Sequence, residues 1–269
     1  MEGLFKGKCG VIMGIANQHS IASGIARFLV DQGADIAFSF LPDDSGKMEG
    51  RIRKVVDEWS PKLVLPCNVG RDEDIARFFG DVAKHYGKID FIVHSIAFAP
   101  LQDLKCPTIE ASREGFLNAM DVSVYSFLAI CREGSKVMNS GGSIATLTYF
   151  GGEKVIAGYN MMGLAKAALD MSVRYAAYDL GAKNIRVNGI SAGPIKTLAS
   201  SAVGASKMLD MYKSIAPLER NVTQDEVGKA AGYLLSDLAS GVTGEILHVD
   251  AGYHVMGSPG RAFDKASES

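Results

Sequence analysis

Several class-defining features are missing from this 269-residue chain. Its four cysteines, Cys9, Cys67, Cys106 and Cys131, are scattered and form no C-x-x-C pair. They predict buried thiols in a reducing compartment rather than a disulfide framework. Asp plus Glu number 30 against 28 Lys plus Arg, so no basic excess exists to grip a phosphate backbone, and nucleic acid is excluded as a partner. Stretches of about 18 apolar residues are absent, so no membrane span is expected. The first apolar run, residues 11–13, is too short for a signal-peptide core, which predicts a cytoplasmic, soluble protein. The five histidines show no ligand spacing, so no metal is expected. Hydrophobic residues make up 47% of the chain and net charge is low, which excludes disorder. Repeats and linkers are lacking too.

What is present is a regular alternation. Apolar, β-branched runs occur at 8–14, 35–41, 62–67, 90–95, 143–148, 185–190 and 245–249. They lack clean period-two polarity, as expected of parallel strands buried on both faces. Helical patterns fill 20–32, 47–59, 72–86, 113–138, 159–180 and 224–236. The alternation predicts an α/β fold, a Rossmann-like doubly wound parallel sheet of about seven strands with helices on both faces. A single domain is expected over 1–256. Two segments break the pattern. Residues 194–217, rich in Ala, Ser and Met, read as a long loop serving as a lid, and 257–269 as a disordered polar tail.

Cofactors of such sheets lie at the carboxyl ends of the strands. There the first run ends in Gly14, and Ile15-Ala16-Asn17-Gln18-His19 leads to Ser20-Ile21-Ala22 and a helix. A glycine lets backbone approach a pyrophosphate, and a helix start offers unpaired N–H groups. Ser20 either caps that helix or donates its hydroxyl to a phosphate. The G-x-G-x-x-G pattern is absent, so an ordinary strand–turn–helix connection stays open for this segment alone. The third run leads to Asn68 and Val69, the fourth to Ser95, Ile96 and Ala97. Asn68 suits an adenine edge, and Ala97 leaves room for a ribose. Between Phe38 and Pro42 there is no cation for a 2′-phosphate, which favours NADH over NADPH. Tyr159 stands seven residues before Lys166, almost two helical turns, so one helix face would carry both. An ammonium there favours the ionised phenol and improves it as a donor to a developing oxyanion. A surface lysine beside a packed tyrosine is the ordinary alternative.

In order, Gly14-x5-Ser20-x-Ala22, Tyr159-x6-Lys166, Ile185-Arg186-Val187-Asn188 and Ala192-Gly193-Pro194-Ile195 resemble the short-chain dehydrogenase/reductase superfamily. Two features narrow the resemblance to the bacterial enoyl-acyl carrier protein reductase family of type II fatty acid synthesis. One is the phosphate loop with a single glycine and a serine; the other is Tyr149, ten residues before Tyr159. The likeness extends over about residues 3–252. It implies hydride transfer from NADH to the trans-2 double bond of an enoyl thioester on acyl carrier protein, by a homotetramer open to biphenyl-ether inhibitors. It implies that Tyr159 hydrogen-bonds the thioester oxygen and Lys166 the nicotinamide ribose, while Tyr149 shapes the acyl end and Ala99 touches substrate. For the cofactor it implies Gly14, Ser20, Ile21, Leu41, Asn68, Val69, Ser95, Ile96 and Lys166. Ile195, Lys196, Thr197, Leu198 and Ala199 complete that set. Three positions depart from the family: Asn68 for a frequent aspartate, Leu41 for a polar adenine neighbour, and Ala97 for a glycine.

A carbonyl (3-oxoacyl) reductase of the same superfamily is the runner-up. Tyr149, and Asp121 where carbonyl reducers carry an asparagine, count against it. A silent nucleotide sensor would have no use for Tyr159 and Lys166. His94 reads as a satisfied core residue, and Ser143 and Thr148 lack the histidine partner of a triad. Met161 and Met162 read as packing; Met208 and Met211 read as packing or an acyl-channel lining. Tyr175 and Tyr178 read as subunit contacts.

Overall fold

All seven apolar runs pair in parallel in the computed structural model, which describes residues 3–195 and 205–260. The strands are β1 (Cys9–Met13), β2 (Asp35–Phe40), β3 (Leu63–Pro66), β4 (Ile89–His94), β5 (Met138–Thr148), β6 (Arg186–Ala192) and β7 (Ile246–Val249). Their order across the sheet is β3-β2-β1-β4-β5-β6-β7. The chain therefore leaves β1 in one direction and returns with β4 on its other side, opening a crevice at the carboxyl ends.

Each strand feeds both faces, which is why no strand alternates polar and apolar residues. On one face Ile12, Phe38, Phe91, Val93, Ala145 and Ile190 meet α1 (Ile21–Asp31), α2 (Lys47–Val56) and α9 (Gln224–Leu235). On the other, Val11, Met13, Ile92, Ile144 and Val187 meet α3 (Asp72–Tyr86), α6 (Ser126–Gly134) and α7 (Met161–Gly181). A capping box at Thr223 and Glu226 fixes the start of α9. Buried Arg186 fixes its end, donating to the carbonyls of Leu234 at 2.7 Å and Ser236 at 3.0 Å. Those carbonyls would otherwise be orphaned at a helix terminus. None of the helices among the described residues is long and apolar enough to cross a membrane.

Three expectations need correction. The helix expected over 113–138 is α5 (Arg113–Met120), a π turn at Asp121–Tyr125 and α6, and it stops at Gly134. Met138 already belongs to β5, whose polar Asn139-Ser140-Gly141-Gly142 start reads as loop because it lies outside the core. The expected loop 194–217 contains α8 (Ala205–Ile215); residues 196–204 lie outside the described set. A further short helix, α4 (Leu101–Lys105), follows β4. Of the expected tail, 261–269 lie outside the described residues.

Candidate active site

Gly14 closes β1 with a φ of +102°, and a Cβ there would collide with the Ser95 carbonyl oxygen at the end of β4. Glycine alone lets the two strand ends converge. The loop beyond it is tied by Ser20, whose Oγ accepts the N–H groups of Ala16 and Asn17, each at 3.1 Å. The capping alternative for Ser20 is thereby corrected: its side chain makes no cap bond to α1. The oxygen is engaged as an acceptor, so the hydroxyl proton remains for an outside acceptor. The first turn of α1 keeps N–H groups without a side-chain cap, an anion site by geometry and dipole. Gln224 holds this loop from α9, its Nε2 donating to the Ser20 carbonyl at 2.6 Å and the Gln18 carbonyl at 3.2 Å.

Asn68 lies past the end of β3. Its Oδ1 accepts the Gly70 N–H at 3.0 Å, which leaves the amide nitrogen as a donor for a purine edge. Leu41 is half exposed beyond β2. Val69 and Ile96 pack partly against one core face and Ile195 against the other, while Ala99 is buried. Lys196, Thr197, Leu198 and Ala199 lie outside the described residues. A closely approached glycine turn, an uncapped helix start and a free serine proton on one strand edge fit a dinucleotide.

Tyr149 follows β5, and Tyr159 lies in a turn before α7 rather than in the helix, which corrects the expected single helix face. The cause is Asn160, whose φ of 42° and ψ of −120° interrupt helical geometry. Its Nδ2 donates to the carbonyls of Leu104 and Cys106, both at 2.8 Å. Gly151 makes room for the phenol; a Cβ there would collide with the Tyr159 ring. Tyr149 and Tyr159 meet edge to face, with centroids 4.6 Å apart at 67°. Lys166, 6% exposed, donates from Nζ to the Leu147 carbonyl at 2.7 Å.

Burial rules the protonation of all three. It pushes Lys166 down to about 8, against the opposing pull of Asp170 one turn further on. It pushes the Tyr149 phenol up to about 12. Tyr159 is held well above the usual phenol range by burial first, then by Tyr149 and Asp170. The expectation that an ammonium would favour the ionised phenol is therefore corrected: Lys166 faces a carbonyl, and Tyr159 is a neutral donor.

His94 is a core residue. Ser126 gives its proton to the Val122 carbonyl at 2.7 Å, so it accepts from His94 Nε2 at 3.0 Å, and Nδ1 accepts from Thr146 at 2.8 Å. With burial holding its pKa near 3, the ring stays neutral. Ser143 donates to the Leu234 carbonyl at 3.0 Å, a structural bond. Among the described residues no group of three or more His, Cys, Asp or Glu is placed to hold a metal.

One site neighbour is missing from the sequence reading. Tyr212, on α8 and 2% exposed, hydrogen-bonds Tyr149 hydroxyl to hydroxyl, and Tyr253 stacks on it at 3.7 Å. The spacing of Met208, Leu209, Tyr212 and Ile215 carries a helical period that the small residues before it conceal.

Known proteins match over nearly the whole chain. The family described as Enoyl-(Acyl carrier protein) reductase matches residues 14–254. The chain is 50% identical over 254 residues to enoyl-acyl-carrier-protein reductase (NADH) FabI of Synechocystis, covering 93% of this chain and 98% of that one. The crystal structure of the Anaplasma phagocytophilum reductase in complex with NAD superposes with a TM-score of 0.91 at 45% identity, covering 96% of this chain and 98% of that one. The Bacillus cereus reductase, solved with NADP+ and indole naphthyridinone, gives a TM-score of 0.91 at 47% identity, over 95% and 100% of the two chains. With its phosphate loop, paired phenols and buried lysine on one sheet edge, the chain belongs to the enoyl-acyl carrier protein reductase family.

Proposed function

We infer that the chain reduces the trans-2 double bond of enoyl thioesters carried on acyl carrier protein, with NADH as donor, the last reductive step of type II elongation. The observation that carries this reading is the pair of facing neutral phenols, Tyr149 and Tyr159, beside buried Lys166. A conjugated enoyl thioester takes hydride at its β-carbon, and the displaced electron pair moves to the thioester oxygen. Bound NADH supplies that hydride. Tyr159 donates its O–H to the oxygen as charge develops, and a preorganised donor in a dry site is the strongest aid to such a step. The α-carbon then takes a proton from water, its C–H bond formed by the returning enolate electron pair as the thioester carbonyl is restored. Lys166 holds the nicotinamide ribose and adds positive potential, Ser20 and the α1 start hold the pyrophosphate, and Asn68 holds the adenine. Ala99 and Tyr149 border the acyl end. By the family resemblance, Ile195 and the residues after it through Ala199 are assigned to the cofactor.

The enzyme acts in the cytoplasm as a homotetramer, a setting that suits its four unpaired cysteines. Biphenyl ethers are inhibitors to test first. The deciding experiment compares NADH consumption with crotonyl and acetoacetyl thioesters. Crotonyl turnover should dominate; an equal or faster acetoacetyl rate would transfer the reading to a carbonyl reductase. NADH should also give the higher kcat/KM, because a 2′-phosphate beyond β2 would be desolvated without a partner. Equal turnover with NADPH would mean that Lys47, at the start of α2, reaches it.

A further inference from the structure

Four phenols gather at the carboxyl edge of the sheet, and the reaction as derived uses only two. Tyr212 reaches this cluster from α8. Its hydroxyl is bonded to that of Tyr149, with the two rings 6.4 Å apart at 29°. Tyr253 stacks on the Tyr212 ring at 3.7 Å and 16°. A phenol has one proton to give, so in a bonded pair one donates and the other keeps its proton for a third group. Tyr149 is the member that borders Tyr159, at 4.6 Å. Its other acceptor among the described residues is the Met208 sulfur at 4.0 Å, a weak one.

We propose that Tyr212 is a positioning residue for the reduction: it donates its hydroxyl proton to the Tyr149 oxygen, which pins that ring and leaves the Tyr149 O–H free to donate toward the thioester beside Tyr159. Burial raises both phenols; Tyr212 lowers Tyr149 and Tyr253 alike, and it is the geometry that selects Tyr149, the phenol whose hydroxyl is bonded to that of Tyr212. Chained donors polarise one another, so Tyr149 becomes the better donor for having Tyr212 behind it. The seating of α8 then becomes a condition for the second donor. The proposal rests on the enoyl-reductase reading, and two measurements separate them.

In spectra of isotope-labelled tyrosine rings, Tyr212→Phe should shift the Tyr149 resonance, which Tyr149→Phe identifies; an unmoved resonance overturns the proposal whether or not the protein turns over crotonyl thioester. In kinetics, Tyr212→Phe keeps the ring stack and should lower kcat about three- to tenfold, with KM for crotonyl thioester and NADH affinity unchanged. In a Tyr149→Phe background the same substitution should cost nothing more. An equal loss in both backgrounds, or a loss confined to KM, would show that Tyr212 only packs.

Discussion

Burial decides the charge of each group that borders the reacting centre, and so fixes what each can be asked to do. Tyr159 stays protonated, which suits the role proposed for it as a hydrogen-bond donor to an enolate. Tyr159→Phe keeps the ring and removes the donor, and should lower kcat about a hundred- to thousandfold while NADH affinity, followed by fluorescence titration, stays near wild type. Near wild-type turnover in that variant would remove Tyr159 from the mechanism. Lys166 has the opposite problem, a cation in an apolar setting. Its pKa is depressed in the fold to about 8 from 10.5, so between those values the unfolded chain holds a proton that the folded chain has released. Stability therefore gains from Lys166 as pH rises through that window, while the cofactor contact proposed for its ammonium should weaken. The kcat/KM for NADH should fall above about pH 8, and Lys166→Met should erase both that fall and the accompanying rise in stability. A flat profile through that window would mean that the neutral amine serves as well.

At the scale of elements, the loop between Gly14 and Ser20, proposed to hold the pyrophosphate, is tied from behind. Gln224, the first residue of α9, ties the loop before α1 through two carbonyls, while its own Cβ and backbone pack closely on Gly24 of α1. Gln224→Ala should raise the KM for NADH several-fold with little change in Tm, whereas a change in Tm alone would make Gln224 a structural tie only. The seven strands were legible because β-branched runs between helical patterns have few other uses in a chain this long. Boundaries shifted where polarity and pairing disagree, as at Met138–Gly142, a polar stretch that nonetheless joins β5. The π turn at Asp121–Tyr125 left no sequence mark, because it adds one residue to a helical turn without changing composition. Tyr159 could be named from its spacing to Lys166 and Tyr149 from the family resemblance, but not how the phenols sit relative to Lys166. That relation depends on Asn160, whose positive φ moves Tyr159 off the helix. Tyr212 stayed invisible for a different cause: it reaches Tyr149 from 63 residues away, and only the folded chain brings them together.

For the molecule as a whole, exposed large apolar residues recur along α5, α6 and α7. Leu117, Leu128, Leu164, Met171, Tyr175 and Tyr178 are all exposed there, enough to suit partner helices packed across two-fold axes. Light scattering at micromolar protein should give a tetramer mass, and Met171→Asp with Tyr175→Asp should reduce it; a monomer mass for the wild type would end that expectation. One local feature also governs how the whole responds to heat. A backbone such as that of Asn160 costs on the order of 1–3 kcal/mol, and here two side-chain bonds to the Leu104 and Cys106 carbonyls hold it in place. It is a wound spring with its catch on a different segment. We expect warming to fray the short α4 region first, release the Asn160 side chain and unwind the turn carrying Tyr159 while the sheet is still intact. Catalysis should therefore fade several degrees below the melting transition seen by circular dichroism and return on cooling, and coincident loss of the two signals would show that the turn is no weaker than the sheet beneath it.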